Sequence, residues 1–293
     1  MRHPHATAVG GGAAFRFPDN MTYQAFWQPL TALYPEREAQ WIGRYVMEVN
    51  FGLTRSDIIM DKVETLDETL LTTIRQRLLD GEPVQYVIGK ADFGERQFRI
   101  NAGVLIPRPE TLWLCHAVGD AIGDEPRSVL DIGTGSGCIA ITIALDRPAA
   151  SVAAWDISDQ ALSLARENAS LLRASVDFEH QDMLTPPEDS ERWDAIVSNP
   201  PYICQQEQAT MERHVLDHEP HLALFVPDDD PLLFYRSIAR YAIKALKPDG
   251  ALCLEINPLY ARQLDDMLQE TGFRQVTIHQ DDYDKDRYII AWK

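Results

Sequence analysis

From residue 128 to the carboxyl end, short apolar runs suited to buried strands alternate with longer runs of helical period. Strands are expected at 128–132, 151–156, 176–180, 193–198, 250–256, 275–279 and 287–292. Helices are expected between most of them, notably over 138–146, 159–170, 231–246 and 259–270. Apolar strands separated by helices leave few solutions, chief among them a mostly parallel sheet covered by helices on both faces. The last two strands are joined only by 280–286, which suits an antiparallel hairpin at the end of the chain.

The rest of the chain is organised around that α/β domain, expected at 108–293. Residues 21–82 read as a small helical bundle. Asp67 and Glu68 open a stripe of Leu66, Leu70, Leu71, Ile74 and Leu78, while Pro35 and Glu36 open one of Ile42, Tyr45, Val46 and Val49. Residues 83–107 hold two β-like runs, 84–88 and 97–100, separated by Gly89 and Gly94, and are expected to form a connecting β-hairpin. A hinge follows, in which Pro107 pushes Ile106 towards extended geometry and Pro109 is expected in the first turn of a helix. Residues 1–20, with a Gly triplet, read as a mobile tail; His3, a possible copper ligand beside a free amino terminus, is read as part of it.

Composition narrows the function. Among 293 residues, 45 acidic side chains oppose 27 basic ones, a formal net charge of −18 that repels phosphate backbones, so direct nucleic-acid binding is not expected. No stretch approaches the roughly 20 apolar residues that span a bilayer. The four cysteines, 115, 138, 204 and 253, form neither a zinc nor a redox motif. These features fit a reduced, soluble, cytoplasmic protein with no membrane partner. His214, His218 and His221 recur at helical spacing beside Glu219, but Pro220 interrupts the alignment, so no metal site is expected and the stretch reads as a satisfied or solvent-facing loop. Asp228–Asp230 reads as a solvated turn.

The first strand runs into Asp131-Ile132-Gly133-Thr134-Gly135-Ser136-Gly137, a loop that lets a ligand approach the backbone at the carboxyl edge of the sheet. The next strand ends in Asp156, placed to accept hydrogen bonds from a ribose diol. On these features alone a dinucleotide and S-adenosylmethionine both remain open, although the third small residue of a dinucleotide fingerprint falls on Cys138. The fourth strand decides between them, because it ends in Asn199-Pro200-Pro201-Tyr202 and two prolines cannot continue a central strand. Methylating a planar NH₂ nitrogen is hard because its lone pair is delocalised. The Asn199 side-chain oxygen and the Pro200 carbonyl can accept both N–H groups, aim the nitrogen at a methyl donor and favour the charge that develops on it. Tyr202 can stack on a flat amide or base.

Three segments, D-I-G-T-G-S-G-C-I-A-I at 131–141, V-S-N-P-P-Y-I at 197–203 and L-I-P-R-P-E-T at 105–111, resemble the PrmC/HemK family. The likeness extends over about 22–293, including G-E-P-V-Q-Y at 81–86 and D-x-x-x-D-R at 282–287. It implies a class I, Rossmann-like, seven-stranded methyltransferase domain behind a helical substrate-binding domain. It further implies transfer of the S-adenosylmethionine methyl group, leaving S-adenosylhomocysteine, to N5 of the glutamine in the Gly-Gly-Gln motif of release factors. By the same resemblance Gly133, Thr134, Gly135, Ser136 and Gly137 would line the methionine part of the cofactor, Asp156 would hold the ribose, and Asp182 with Met183 would flank the adenine. Asn199, Pro200, Pro201 and Tyr202 would hold the glutamine, with Phe93 beside the pocket. Arg108 reads equally as a substrate contact or as a hinge salt bridge. Leu112, Met183 and Pro231 depart from the family pattern, which commonly has an acid, a Trp and a Gly there. Methylation of a ribosomal-protein glutamine, methylation of adenine N6 or guanine N2 in nucleic acid, and a non-catalytic docking module are the alternatives.

Overall fold

The computed structural model describes residues 21–281 and 283–293; the expected tail at 1–20, with His3, lies outside them. Up to Val84 the chain forms one unit, and from Gln85 onward a second. In the first, polar side chains set the helix starts. Thr22 caps α1 (Tyr23–Trp27), and α2 (Glu36–Phe51) follows Pro35. Thr54 and Asp57 form a reciprocal capping box at α3 (Arg55–Ile59), and Asp67 accepts from the Leu70 N–H at the start of α4 (Glu68–Leu79). Phe26, Leu30, Ile42, Val46, Met47, Leu71, Ile74 and Leu78 are buried, and α1 packs on α2 and α4. Leu70 of the expected stripe is exposed, because Leu71 takes the inward position.

The second unit departs from the sequence reading at its start, where Val84–Ile88 forms a short helix, α5, instead of a strand. Val84, Tyr86, Val87 and Ile88 are all buried, and a continuous apolar run carries no periodicity to separate helix from strand. The hairpin lies just beyond, as β1 (Lys90–Phe93) and β2 (Arg96–Arg99), with Phe93 opposite Arg96. It packs into the second unit. Phe93 and Phe98 meet edge to face at 6.0 Å and are buried with Leu114 of α6 (Thr111–Ile122) and Ile139 of α7 (Cys138–Asp146). Pro109 falls in the turn before α6.

The central sheet has seven strands: β3 (Ser128–Ile132), β4 (Ser151–Asp156), β5 (Asp177–His180), β6 (Trp193–Ser198), β9 (Leu246–Glu255), β10 (Arg274–Gln280) and β11 (Asp286–Trp292). Their order is β10-β11-β9-β6-β3-β4-β5, with β5, β4, β3, β6 and β9 parallel and β11 antiparallel to both its neighbours. Alternate residues serve opposite faces. Leu130, Ile196, Leu252 and Leu254 pack against α11 (Leu233–Ala245) and α12 (Ala261–Thr271), whereas Val129, Val197 and Cys253 pack against α6 and α7. Helix α8 (Asp159–Leu172) links β4 to β5. Between β6 and α11 the chain forms a two-stranded ladder, β7 (Ile203–Cys204) with β8 (Phe225–Val226), enclosing α9 (Arg213–His218) and α10 (His221–Leu224). Among the described residues no helix is long and apolar enough to cross a membrane. The order of strands reverses at β3, between β4 and β6, and such a switch point opens a crevice at the carboxyl edge.

Candidate active site

That crevice is a cleft of about 230 Å³ in the second unit, formed by the ends of three strands and covered by two other segments. The loop after β3 supplies Gly133, Thr134, Gly135 and Ser136; the end of β4 supplies Asp156; the segment after β6 supplies Asn199 and Pro201. Asp182 and Met183, after β5, complete one side. Leu105–Arg108 and Pro220 to Ala223 form the cover.

The loop is held from below. Gly133 and Thr134 donate their N–H groups to the Trp155 carbonyl, both at 2.9 Å, and Ser198 Oγ donates to the Ile132 carbonyl at 2.7 Å. Asp156 accepts from the Gly135 N–H and the Ser158 N–H, each at 2.8 Å, leaving lone pairs on both carboxylate oxygens. Burial raises its pKa against those hydrogen bonds. Asp131 is fully buried. It accepts from Thr134 Oγ1 at 2.7 Å and the Ala140 N–H at 3.3 Å, its Oδ1 has no partner, and burial pushes its carboxyl up to about 7.

Not every expected residue reaches the cleft. Gly137 caps α7 in the left-handed region and packs on Ile141 and Ala165. Phe93 lies in the core under α6, since the hairpin's inward face is what pins it to the domain. Pro200 is buried, and Tyr202 stands behind the wall with its hydroxyl on Glu255 Oε1 at 3.1 Å and its carbonyl on Asn257 Nδ2 at 3.0 Å. Asp182 Oδ1 accepts from the Leu184 N–H at 2.8 Å, and the Met183 methyl lies 3.3 Å from where a β-carbon on Gly133 would sit.

Arg108 lines the cleft and also makes an ion pair at 2.7 Å with Glu219, whose side chain is fully buried and whose Oε2 accepts from the Ile106 N–H at 3.2 Å. Of the two forms expected for the stretch around Glu219, the satisfied one describes its acid, although the flanking residues form short helices instead of a loop. His214 and His218 lie on α9 and His221 on α10, separated by Pro220, and the acid between them turns inward to tie the cover to the hinge. Asp228 and Asp230 are likewise anchored, by the Gln206 N–H at 3.0 Å and by both Arg236 amino nitrogens. Glu219 and Glu255 were missed as site residues. The only sequence signals are Pro220 beside the first and a lone acid ending an apolar run for the second.

The lining tests what the cleft can hold. Arg108 is its single basic side chain, already paired, while Asp156 and Asp182 are acidic and Ile139, Ile157, Met183 and Phe234 are apolar. A pyrophosphate finds no counter-charge there. A nucleoside with a diol, a flat base and a positively charged tail fits.

Fold and cleft together define a class I S-adenosylmethionine-dependent methyltransferase. Residues 115–223 match the family model of the methyltransferase small domain. The fold is similar to that of a methyltransferase from Pyrococcus furiosus (TM-score 0.52, 15% identity, covering 76% of this chain and 98% of that one). It is also similar to the hMettl16 catalytic domain in complex with an RNA hairpin (TM-score 0.53, 19% identity, 77% and 81%). Sequence relatives are much nearer. The chain is 42% identical over 268 residues to the release factor glutamine methyltransferase of Bacteroides thetaiotaomicron, covering 90% of this chain and 96% of that one. The same-named protein of Neisseria gonorrhoeae is 39% identical over 269 residues, again 90% and 96%. The chain belongs to the release factor glutamine methyltransferase family.

Proposed function

We propose that this protein methylates the side-chain N5 of the glutamine in the Gly-Gly-Gln motif of peptide-chain release factors. The single observation that carries the reading is the meeting, on one cleft wall, of the glycine loop, Asp156 and Asn199. The names of the relatives supply the substrate class. S-adenosylmethionine, when bound, supplies an electrophilic methyl group, and its sulfur keeps the S–C bonding pair as S-adenosylhomocysteine forms.

The residues of this chain divide the remaining work. Gly133 to Ser136 would admit the methionine part against bare backbone, Asp156 would accept from the ribose hydroxyls, and Asp182 with Met183 would flank the base. Asn199 Oδ1 would accept an N–H of the glutamine amide, holding its nitrogen in line with the methyl carbon, while buried Pro200 would fix the turn that presents Asn199. The Asn199 oxygen would also favour the positive charge that grows on nitrogen as the C–N bond forms. The alkylated nitrogen then gives up a proton to solvent, so no general base is needed. Tyr202 would pack behind the amide. The Arg108–Glu219 pair would brace the cover, and the helical unit would position the protein substrate. A charge of −18 fits a protein partner better than a nucleic acid. Four unpaired, buried thiols fit work in the cytoplasm.

The test supplies radiolabelled cofactor with release factor, ribosomal proteins and DNA in parallel. Label is expected in the release factor and not in one whose Gly-Gly-Gln glutamine is replaced; label only in nucleic acid or a ribosomal protein would overturn the assignment. In the same assay Asn199→Ala is expected to lower kcat by roughly 10²–10³-fold, with cofactor Kd changed by no more than about threefold. Equal losses in binding and turnover would refute its acceptor role.

A further inference from the structure

Behind Asn199 the cleft wall continues into the core as a run of hydrogen bonds that the reaction above leaves unused. Asn199 Nδ2 donates to Thr111 Oγ1 at 3.4 Å, Thr111 Oγ1 donates to Glu255 Oε2 at 2.6 Å, and the Tyr202 hydroxyl donates to Glu255 Oε1 at 3.1 Å. The fold brings these residues level. Ser198 at the end of β6 is in register with Leu254 of β9, so Asn199, the first residue beyond β6, stands level with Glu255, the last residue of β9, and the first residue of α6 reaches both through its hydroxyl. Glu255 is 4% exposed, and nothing in methyl transfer itself asks for a buried acid there.

We propose that Glu255, acting through Thr111, is a positioning residue that decides which end of the Asn199 amide faces the substrate. This rests on the release-factor reading of the cleft. A hydroxyl has one hydrogen, and an ionised carboxylate can only accept. While Glu255 is ionised, the Thr111 hydrogen is committed to Oε2, and Thr111 presents only lone pairs to Asn199. Lone pairs select the NH₂ end of the amide, which leaves Oδ1 for the substrate. The glutamine NH₂ needs an acceptor, and this arrangement provides one. Protonation reverses the chain. A proton on Oε2 is donated to Thr111, the Thr111 hydrogen turns to Asn199, and the amide flips to bring its own NH₂ against the substrate's. Donor then faces donor, and the nitrogen is no longer held.

The surroundings place this switch in a useful range. Burial pushes the Glu255 carboxyl up to about 7, with Glu110 adding to the rise, while the Thr111 hydroxyl, the Tyr202 hydroxyl and Arg287 hold it down. Arg287 is shared with Glu110 at 3.8 Å and Asp281 at 2.7 Å. Tyr235, from α11, donates only to the Glu255 backbone carbonyl. The Cys115 and Cys138 thiols, themselves raised by burial, complete the set and carry no charge in this range.

The experiment follows kcat against pH at saturating cofactor and release factor, for the wild type and Glu255→Gln. Wild-type turnover is expected to fall as pH drops through about 7. Glu255→Gln is expected to lose that limb and run flat at about a tenfold lower level, with cofactor Kd within about threefold. Thr111→Val is expected to fall by about tenfold or more and Thr111→Ser to recover most of the loss. An unchanged acid limb in Glu255→Gln, or near-normal turnover in Thr111→Val, would overturn the proposal. A second measurement needs no substrate: in full-length protein labelled with ¹⁵N-asparagine, the Asn199 side-chain resonances, assigned by their loss in Asn199→Asp, should move with pH in the wild type and stay fixed in Glu255→Gln. Resonances that do not move in the wild type would sink the switch even if release factor is methylated. Resonances that do move, with no methylation of release factor, would leave the switch standing and sink only the substrate assignment.

Discussion

Gly135 and Gly137 stand two residues apart in one loop, both at positive φ, and a methyl group on each is expected to fail in opposite ways. At Gly135 a β-carbon meets nothing closer than Val104 at 3.7 Å, but the residue lines the cleft and its N–H is held by Asp156. Gly135→Ala should therefore weaken cofactor binding by about tenfold or more, near 1.4 kcal/mol, and change stability only by the modest strain of a left-handed alanine. At Gly137 the β-carbon would stand 2.9 Å from Ile141 Cδ1 and 3.1 Å from Ala165 Cβ, away from the cleft. Gly137→Ala should lose roughly 1–3 kcal/mol of stability while folded protein keeps its cofactor affinity. Calorimetric titration and thermal melts of the two variants separate the roles, and matching profiles would contradict the placement. The same contrast marks what single residues disclose. That the glycine loop and Asn199 meet at the cleft is legible in the sequence because a close backbone approach and a strand ended by two prolines admit few residue types. Glu255 ends the run Leu252-Cys253-Leu254, where an acid means nothing until Thr111 and Tyr202, remote in sequence, close around it.

At the scale of elements, the hairpin, α8 and the glycine loop are tied by one buried side chain. Asn168 Oδ1 accepts from the Arg99 N–H at 2.7 Å, and its Nδ2 donates to the Arg99 carbonyl at 3.0 Å and the Ser136 carbonyl at 2.9 Å. Asn168→Ala orphans these groups, at roughly 1–3 kcal/mol for each that water cannot reach, and should lower the melting midpoint by several degrees. Asn168→Asp keeps the shape but turns a carboxylate on two carbonyls, so it should melt lower still. An aspartate variant more stable than the alanine variant would argue against the assigned bonds. Of the elements themselves, β3, β4, β6 and α7 lie where the apolar runs placed them, since buried strands ended by Asp, Gly or Pro leave little freedom in their bounds. The run Val84–Ile88 misled because β-branched and aromatic residues suit a strand until burial on every side makes a helical turn equally acceptable. The covering helices α9 and α10 were illegible for a related reason. They are short, and their position depends on the Glu219 contact with Ile106 and Arg108.

For the whole molecule, the acids beside the cleft set stability against ligand affinity. Burial pushes both Asp131 and Glu255 up to about 7, above their unfolded values near 4. Raised acids hold their protons in the folded chain after the unfolded chain has released them. Their contribution is thus fully present below pH about 4 and is lost as pH climbs through about 7, to a total of roughly 4 kcal/mol for each group. A cationic ligand reverses the preference. A positive charge in the cleft favours ionised Asp156 and Asp131, both held up by burial, so cofactor affinity should increase over the same interval in which the free protein weakens. Melting midpoints with and without cofactor at fixed concentration, at pH 5.5 and pH 8, measure both trends. At a hundredfold excess over Kd, binding adds about 2.7 kcal/mol. The rise produced by cofactor should be larger at pH 8, and Asp131→Asn should remove about half of the pH dependence of the free protein, leaving that of Glu255. A larger rise at pH 5.5 would mean that the cleft acids do not face the cation, and the electrostatic fit of S-adenosylmethionine to this fold would fail with it.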